Sequence, residues 1–235
     1  MKIEYTFELD DQTLHYQVDL DRRYDFSEDR SALPAWSKLE HCQCDNCPLN
    51  VKGSSHCPAA VDLVPVIHDF QRVGAARRAR ITVVTPERTY SKEAEVEEGL
   101  RALMGVVMAS SACPILSRLK PNARYHLPFS SQQDYTMRSV SFYLLRQYFL
   151  YREGYRPDWD MLGLVTLNQD LKIVDEALGR RVQDAEGEGA NIRVLRKFFE
   201  LSSTLGSSLE EQLQALKPLI MNQEVTPAID ANEKR

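Results

Sequence analysis

Four of the five cysteines in this 235-residue chain fall between His41 and Pro58, in "HCQCDNCPLN" and "SSHCP", and this cluster constrains the fold more than any other stretch. Cys44 and Cys47 form a C-x-x-C knuckle around Asp45 and Asn46. That spacing lets one tight turn present two thiolates to a single tetrahedral edge. Cys57 follows after nine residues and Cys113 after fifty-five more. Cys47, Cys57 and Cys113 each precede a proline, which places each thiol at a rigid corner suited to a helix start, where the dipole favours thiolate. An odd number of cysteines leaves at least one outside any intramolecular disulfide scheme.

The ligand set that follows is Cys44, Cys47, Cys57 and Cys113 around a structural zinc. Such a node would tie the loop after the first strands to a helix start in the second half. In small peptides a structural zinc contributes on the order of 10 kcal/mol to folding. An iron–sulfur cluster is the alternative, since Cys-Pro also occurs at cluster ligands. Cys42, His41, His56 and His126 are substitutes for any one ligand. Four thiolates fill the coordination shell and are too electron-rich to acidify water, so a structural role is expected over a catalytic one. The H-E-x-x-H and H-x-E…P-C-x-x-C patterns are both missing.

Around the node the chain reads as α+β. Ile3, Tyr5 and Phe7 alternate with polar residues, as do Leu14, Tyr16 and Val18 after an Asp-Asp turn, which predicts a hairpin with one packed face. The β-branched stretch from Ala79 to Ala94 predicts one or two further strands completing a small antiparallel sheet. Residues 21–34 are charged and read as a connection. The segment after Pro58 has a helical stripe that Pro65 is expected to kink or break. From Glu97 onward the pattern is helical. The segment from Asp134 to Gly154 is the most apolar and is expected to be a central buried helix. Asp158 is the expected cap of the next helix, residues 183–190 a loop, and 191–206 and 207–220 two last helices. The organisation expected is a small sheet with its metal loop over 1–96, a helical region over 97–221 and a flexible tail over 222–235.

Other residues that could carry chemistry are fewer. His126, Ser130, Asp134 and Arg138 could line a polar pocket. The plainer expectation is that His126 bonds within a packed turn and that Asp134 pairs with Arg138 one helical turn on. Asp158 and Asp160 flank Trp159 and could do acid–base work or simply complement a helix dipole. Nucleophile-elbow, phosphate-loop and dinucleotide fingerprints are missing. A net charge of −5 makes a nucleic-acid protein unlikely on electrostatic grounds, with the basic run Gln71–Arg80 read as a solvated turn before a strand. The N-terminus lacks an apolar signal-peptide core and no run suits a membrane span, so a soluble cytoplasmic protein is expected.

The motifs "CDNCPL", "HCPAA", "GVVMASSACPILSRLKPNARYHLPF", "SFYLLRQYF" and "PDW" together resemble an uncharacterised bacterial family of unknown function, with a C-x-x-C-P…H-C-P…A-C-P…H-L-P-F pattern. The resemblance extends to about residue 200 and implies Cys44, Cys47, Cys57 and Cys113 as its matching cysteines, with His126 in the "HLPF" stretch and Cys42 outside the pattern. It supplies no activity. Three functions are therefore carried forward. The leading one is a non-enzymatic binding or regulatory protein with structural zinc, acting on an unidentified protein partner or small ligand. The others are an iron–sulfur or thiol-based redox sensor, and an enzyme using the pocket around His126 and Arg138.

Overall fold

The structure is a computed structural model that describes residues 1–186, 194 and 209–221. Strands β1 (Lys2–Glu8) and β2 (Thr13–Asp19) form the N-terminal hairpin, with Ile3 opposite Val18, Tyr5 opposite Tyr16 and Phe7 opposite Leu14. Strands β3 (Arg78–Val84) and β4 (Thr89–Glu95) form a second hairpin. Joining β1 to β3 antiparallel, with Tyr5 opposite Val83 and Phe7 opposite Ile81, gives one sheet of order β2-β1-β3-β4. The two-residue alternation does its expected work: Ile3, Tyr5, Phe7, Ala79, Ile81, Val83 and Ala94 are buried, while Glu4, Glu8, Arg80 and Glu93 face water. The basic run ends in ion pairs on the wet side, Arg77 with Asp11 and Arg80 with Glu93.

Among the described residues the helices are α1 (Pro58–Phe70), α2 (Val96–Ser110), α3 (Lys120–Arg124), α4 (Gln132–Arg152) and α5 (Leu162–Glu186), and residues 209–221 are also helical. Helix α2 is the spine of the molecule. Its Leu100, Leu103, Met104, Val106, Val107 and Met108 are buried against the sheet and its neighbours. The approach is close enough to demand glycine at one point. A Cβ on Gly99 would lie 2.5 Å from Ile81 Cδ1 and 2.8 Å from Phe7 Cε1.

The central buried helix is therefore α2 and not α4, contrary to the sequence expectation. Helix α4 buries only Thr136, Ser139, Val140 and Gln147, and leaves Leu145, Tyr148, Phe149 and Tyr151 exposed. Its aromatic residues are spread around the circumference, so no single stripe can seat on the sheet. The glycine, alanine and aliphatic residues of α2 let two backbones come close, which bulky rings do not. Helix α1 is also uninterrupted at Pro65, which sits on the exposed side, where water can serve the carbonyl that proline leaves without a donor.

Two helix starts explain how the second half is aimed. Ser131 and Asp134 form a reciprocal capping box on α4, with Ser131 Oγ accepting the Asp134 N–H at 3.1 Å and Asp134 Oδ2 accepting the Ser131 N–H at 2.9 Å. Asp158 does cap α5, accepting the N–H groups of Leu162 at 3.2 Å and Gly163 at 2.8 Å. The same carboxylate accepts the Tyr143 hydroxyl at 2.6 Å, which ties α5 to α4. One apolar cluster runs from Ile3 through α1 and α2 to Leu178, Val182 and Val194, so the sheet and the helical half share a core. The expected loop over 183–190 is helical as far as Glu186. Its remainder, the first of the two last helices apart from Val194, residues 207 and 208 at the start of the second and the tail over 222–235 lie outside the described residues. Among the described residues no helix is long and apolar enough to cross a membrane.

Candidate functional site

The cysteine loop is built from tight turns anchored on three sides. Cys47 donates its N–H to the Cys44 carbonyl at 3.0 Å, closing the C-x-x-C turn. Asn46 at its tip donates to the Asp170 carbonyl on α5 at 3.1 Å. The far end of the loop is held by Cys57 N–H to the Ser37 carbonyl at 2.9 Å and Leu39 N–H to the Ser55 carbonyl at 3.0 Å. Cys57 is the N-cap of α1 with Pro58 in the first helical position, so the N–H groups of Ala59 and Ala60 point at its sulfur. Cys113 repeats this arrangement ahead of the short 3-10 turn Leu116–Leu119, with the Ile115 and Leu116 N–H groups directed at its sulfur. The two Cys-Pro corners therefore present backbone donors to thiolates, as the sequence suggests.

The four candidate ligands meet in one neighbourhood. Burial pushes the Cys44 thiol up to about 12, and the charges that Cys57, Cys113 and Cys47 would carry push in the same direction. Cys113 is raised to about 11, again first by burial, with its backbone donors opposing and Cys57 and Cys47 adding to the rise. Cys57 is raised by burial against the pull of Arg181 and of its own helix N-terminus. Without a counter-charge these thiols are neutral; a cation at their centre is what would deprotonate them. Among the described residues all five cysteines are free of disulfides.

Arg181 is the residue that sequence reasoning did not single out. It is 1% exposed, and its guanidinium donates to the carbonyls of Trp36 at 2.8 Å, Lys38 at 2.5 Å and Leu39 at 2.8 Å. Its Nε has no hydrogen-bond partner among the described residues, and it enters no ion pair there. Its charge lowers the thiol pKa of both Cys44 and Cys57. The signal was present in the sequence: Leu171, Val174 and Leu178 mark the buried stripe of α5, and Arg181 continues it.

The spacing of the sulfurs is wider than that of a closed site. A tetrahedral zinc–thiolate shell has sulfur–sulfur edges of about 3.8 Å. Among the described residues, the one group of three ligand atoms all within 4.8 Å of one another is His41, Cys42 and Asp184. The donor types, the backbone N–H groups and the orphaned buried guanidinium fit a cationic metal held by Cys44, Cys47, Cys57 and Cys113, and the loop would have to draw inward around it. Cys42 and His41 belong to a separate, solvent-facing contact. His41 Nε2 lies 2.8 Å from Asp184 Oδ2, and Cys42 Sγ lies 3.9 Å from the same oxygen. Cys42 has a positive φ of 47°, a left-handed turn conformation uncommon for a residue with a side chain. His56 is buried beside Ser55 Oγ at 2.9 Å.

His126 lies elsewhere, against the sheet. Its Nε2 meets the buried Tyr5 hydroxyl, and its pKa is pushed down to about 3 by burial first and the Arg138 charge second. The expected Asp134–Arg138 ion pair is not formed. Asp134 is occupied by its capping box, while Arg138 Nη1 donates to the carbonyls of Asn122 at 3.3 Å and Tyr125 at 3.1 Å. His126, Ser130 and Arg138 do line one cavity, but Asp134 does not.

Comparison with known proteins is brief. No curated protein and no solved structure matches the chain. A family model matches residues 2–221, which is nearly the whole chain and includes both the cysteine loop and the helical half. The chain therefore belongs to the family DUF6901, a domain of unknown function.

Proposed function

We propose that this is a non-enzymatic binding protein whose fold is clamped by one structural zinc ion, with Cys44, Cys47, Cys57 and Cys113 as ligands. The observation that carries the reading is that Cys47, Cys57 and Cys113, from separated stretches of chain, all act on the buried Cys44 thiol, with the Arg181 guanidinium acting on Cys44 and Cys57. A buried cation held only by carbonyls is costly, and a zinc tetrathiolate, being net negative, would compensate it. The clamp would join the loop over 41–57 to the start of α1 and to the end of α2, which is the role of a structural rather than a catalytic metal. With every ligand position filled, the chemistry such an ion supplies is cross-linking. The chain's own residues then orient the loop through Asn46 and Arg181.

Metal analysis of the purified chain tests this reading. One equivalent of zinc and no absorbance near 400 nm support it. A brown protein with that absorbance would transfer the four cysteines to the iron–sulfur alternative.

A further inference from the structure

A second feature of the molecule lies away from the cysteines. Helix α2 and the turn that carries α3 into α4 line a half-open cavity of about 90 Å³, room for a small organic molecule only. Its walls are mostly apolar or small, among them Ala102, Val106, Leu119 and Phe129. Phe129 has a positive φ of 61°, a strained conformation for a bulky residue, at the wall of this cavity.

Among the polar groups on the lining, two guanidinium groups, Arg101 and Arg138, stand against one carboxylate, Glu98. Arg138 lines the cavity with a buried Nε that has no hydrogen-bond partner among the described residues, and it enters no ion pair there. Its Nη1 donates to two carbonyls, and Asp134, whose charge it feels, is held in the capping box rather than in an ion pair with it. Glu98, the carboxylate on the lining, is already paired with Lys92 at 2.6 Å. Ser130 adds a hydroxyl. His126 adds a neutral imidazole, because burial and the Arg138 charge exclude the charged form.

We propose that this cavity binds a small organic carboxylate with an apolar or aromatic body, and that Arg138 is its anchor. The guanidinium offers the planar fork that a carboxylate accepts, and the desolvated setting strengthens the pairing. The apolar walls take the body of the ligand, and the size of the cavity excludes a polymer. This site is independent of the metal clamp, since it shares no residue with it.

Titration of the full chain with benzoate and with octanoate, followed by isothermal calorimetry and by chemical-shift changes, tests the assignment. At least one acid is expected to bind saturably, with its amide (benzamide or octanamide) at least about tenfold weaker, the difference expected for losing one charged hydrogen-bonded pair. Arg138→Met is expected to weaken the acid at least about tenfold. Ala102→Phe, which adds bulk to the α2 wall of the cavity, is expected to abolish binding even if Arg138→Met fails to fold. Failure of both acids to bind the wild-type chain would overturn the proposal. So would acid binding unchanged in Ala102→Phe, or inorganic phosphate binding as tightly as the acids.

Discussion

The guanidinium of Arg181 acts on the Cys57 thiol, favouring its charged form, while donating to the carbonyls of Trp36, Lys38 and Leu39. One side chain from α5 thus finishes the backbone of residues 36–39 and supplies positive potential to the cysteine neighbourhood. A lysine offers no planar fork and cannot span three acceptors in the same way. Arg181→Met is expected to destabilise the chain by about 3 kcal/mol, with little recovery in Arg181→Lys, as read by urea denaturation. Equal stability of wild type and Arg181→Met would show that the three carbonyls find other donors.

Gly99 tests the close packing of α2 on the sheet. Alanine would gain at most about 1 kcal/mol of helix propensity, but overpacking costs about 1–3 kcal/mol. With Ile81 Cδ1 and Phe7 Cε1 at 2.5 and 2.8 Å from the added carbon, the steric cost should win. Thermal melting of Gly99→Ala is expected to show a lowered Tm, and Gly99→Leu a larger loss. A raised Tm in the alanine variant would mean that the sheet face yields easily.

The burial of His126 beside Arg138 sets a pH dependence. His126 has a folded pKa of about 3, below the ordinary histidine value, so the unfolded chain binds the extra proton first as pH falls. Its contribution to stability is therefore intact above about pH 6.5 and is lost progressively from there down to about pH 3. The loss over that window is on the order of 4 kcal/mol. In His126→Gln the part of the acid sensitivity between pH 6 and 4 should shrink, as measured by denaturation midpoints across pH. An unchanged profile would place the acid-labile group elsewhere.

Much of the sheet was legible because period-two alternation in Ile3, Tyr5 and Phe7 is a local signal that a half-buried strand must carry. The Cys-Pro corners were legible for the same local reason. The identity of the central helix was not. The length and aromatic content of α4 drew the expectation although α2 is the more apolar helix, and burial is decided by whether small residues such as Gly99 allow close approach to Ile81 and Phe7 far away in sequence. The Asp134–Arg138 pair was misread because the capping box claims the carboxylate first. Arg181 could be read only as an oddity on an apolar stripe, since its acceptors lie more than a hundred residues earlier.

Cys42 provides a check on which cysteines belong together. It contacts the exposed Asp184 and stands apart from the four-thiol neighbourhood. In the native, zinc-loaded chain one thiol of five is expected to react with iodoacetamide, and peptide mapping should locate it at Cys42. Chelation should expose the rest. Rapid labelling of Cys44 or Cys47 in the loaded chain would argue that they are not ligands.

The most direct test of the clamp is zinc stoichiometry in the purified wild type beside Cys57→Ser and Cys113→Ser. One zinc per wild-type chain is expected, with markedly reduced metal and a lower unfolding midpoint in each variant. A wild-type chain that is metal-free and as stable with chelator as without it would contradict the clamp.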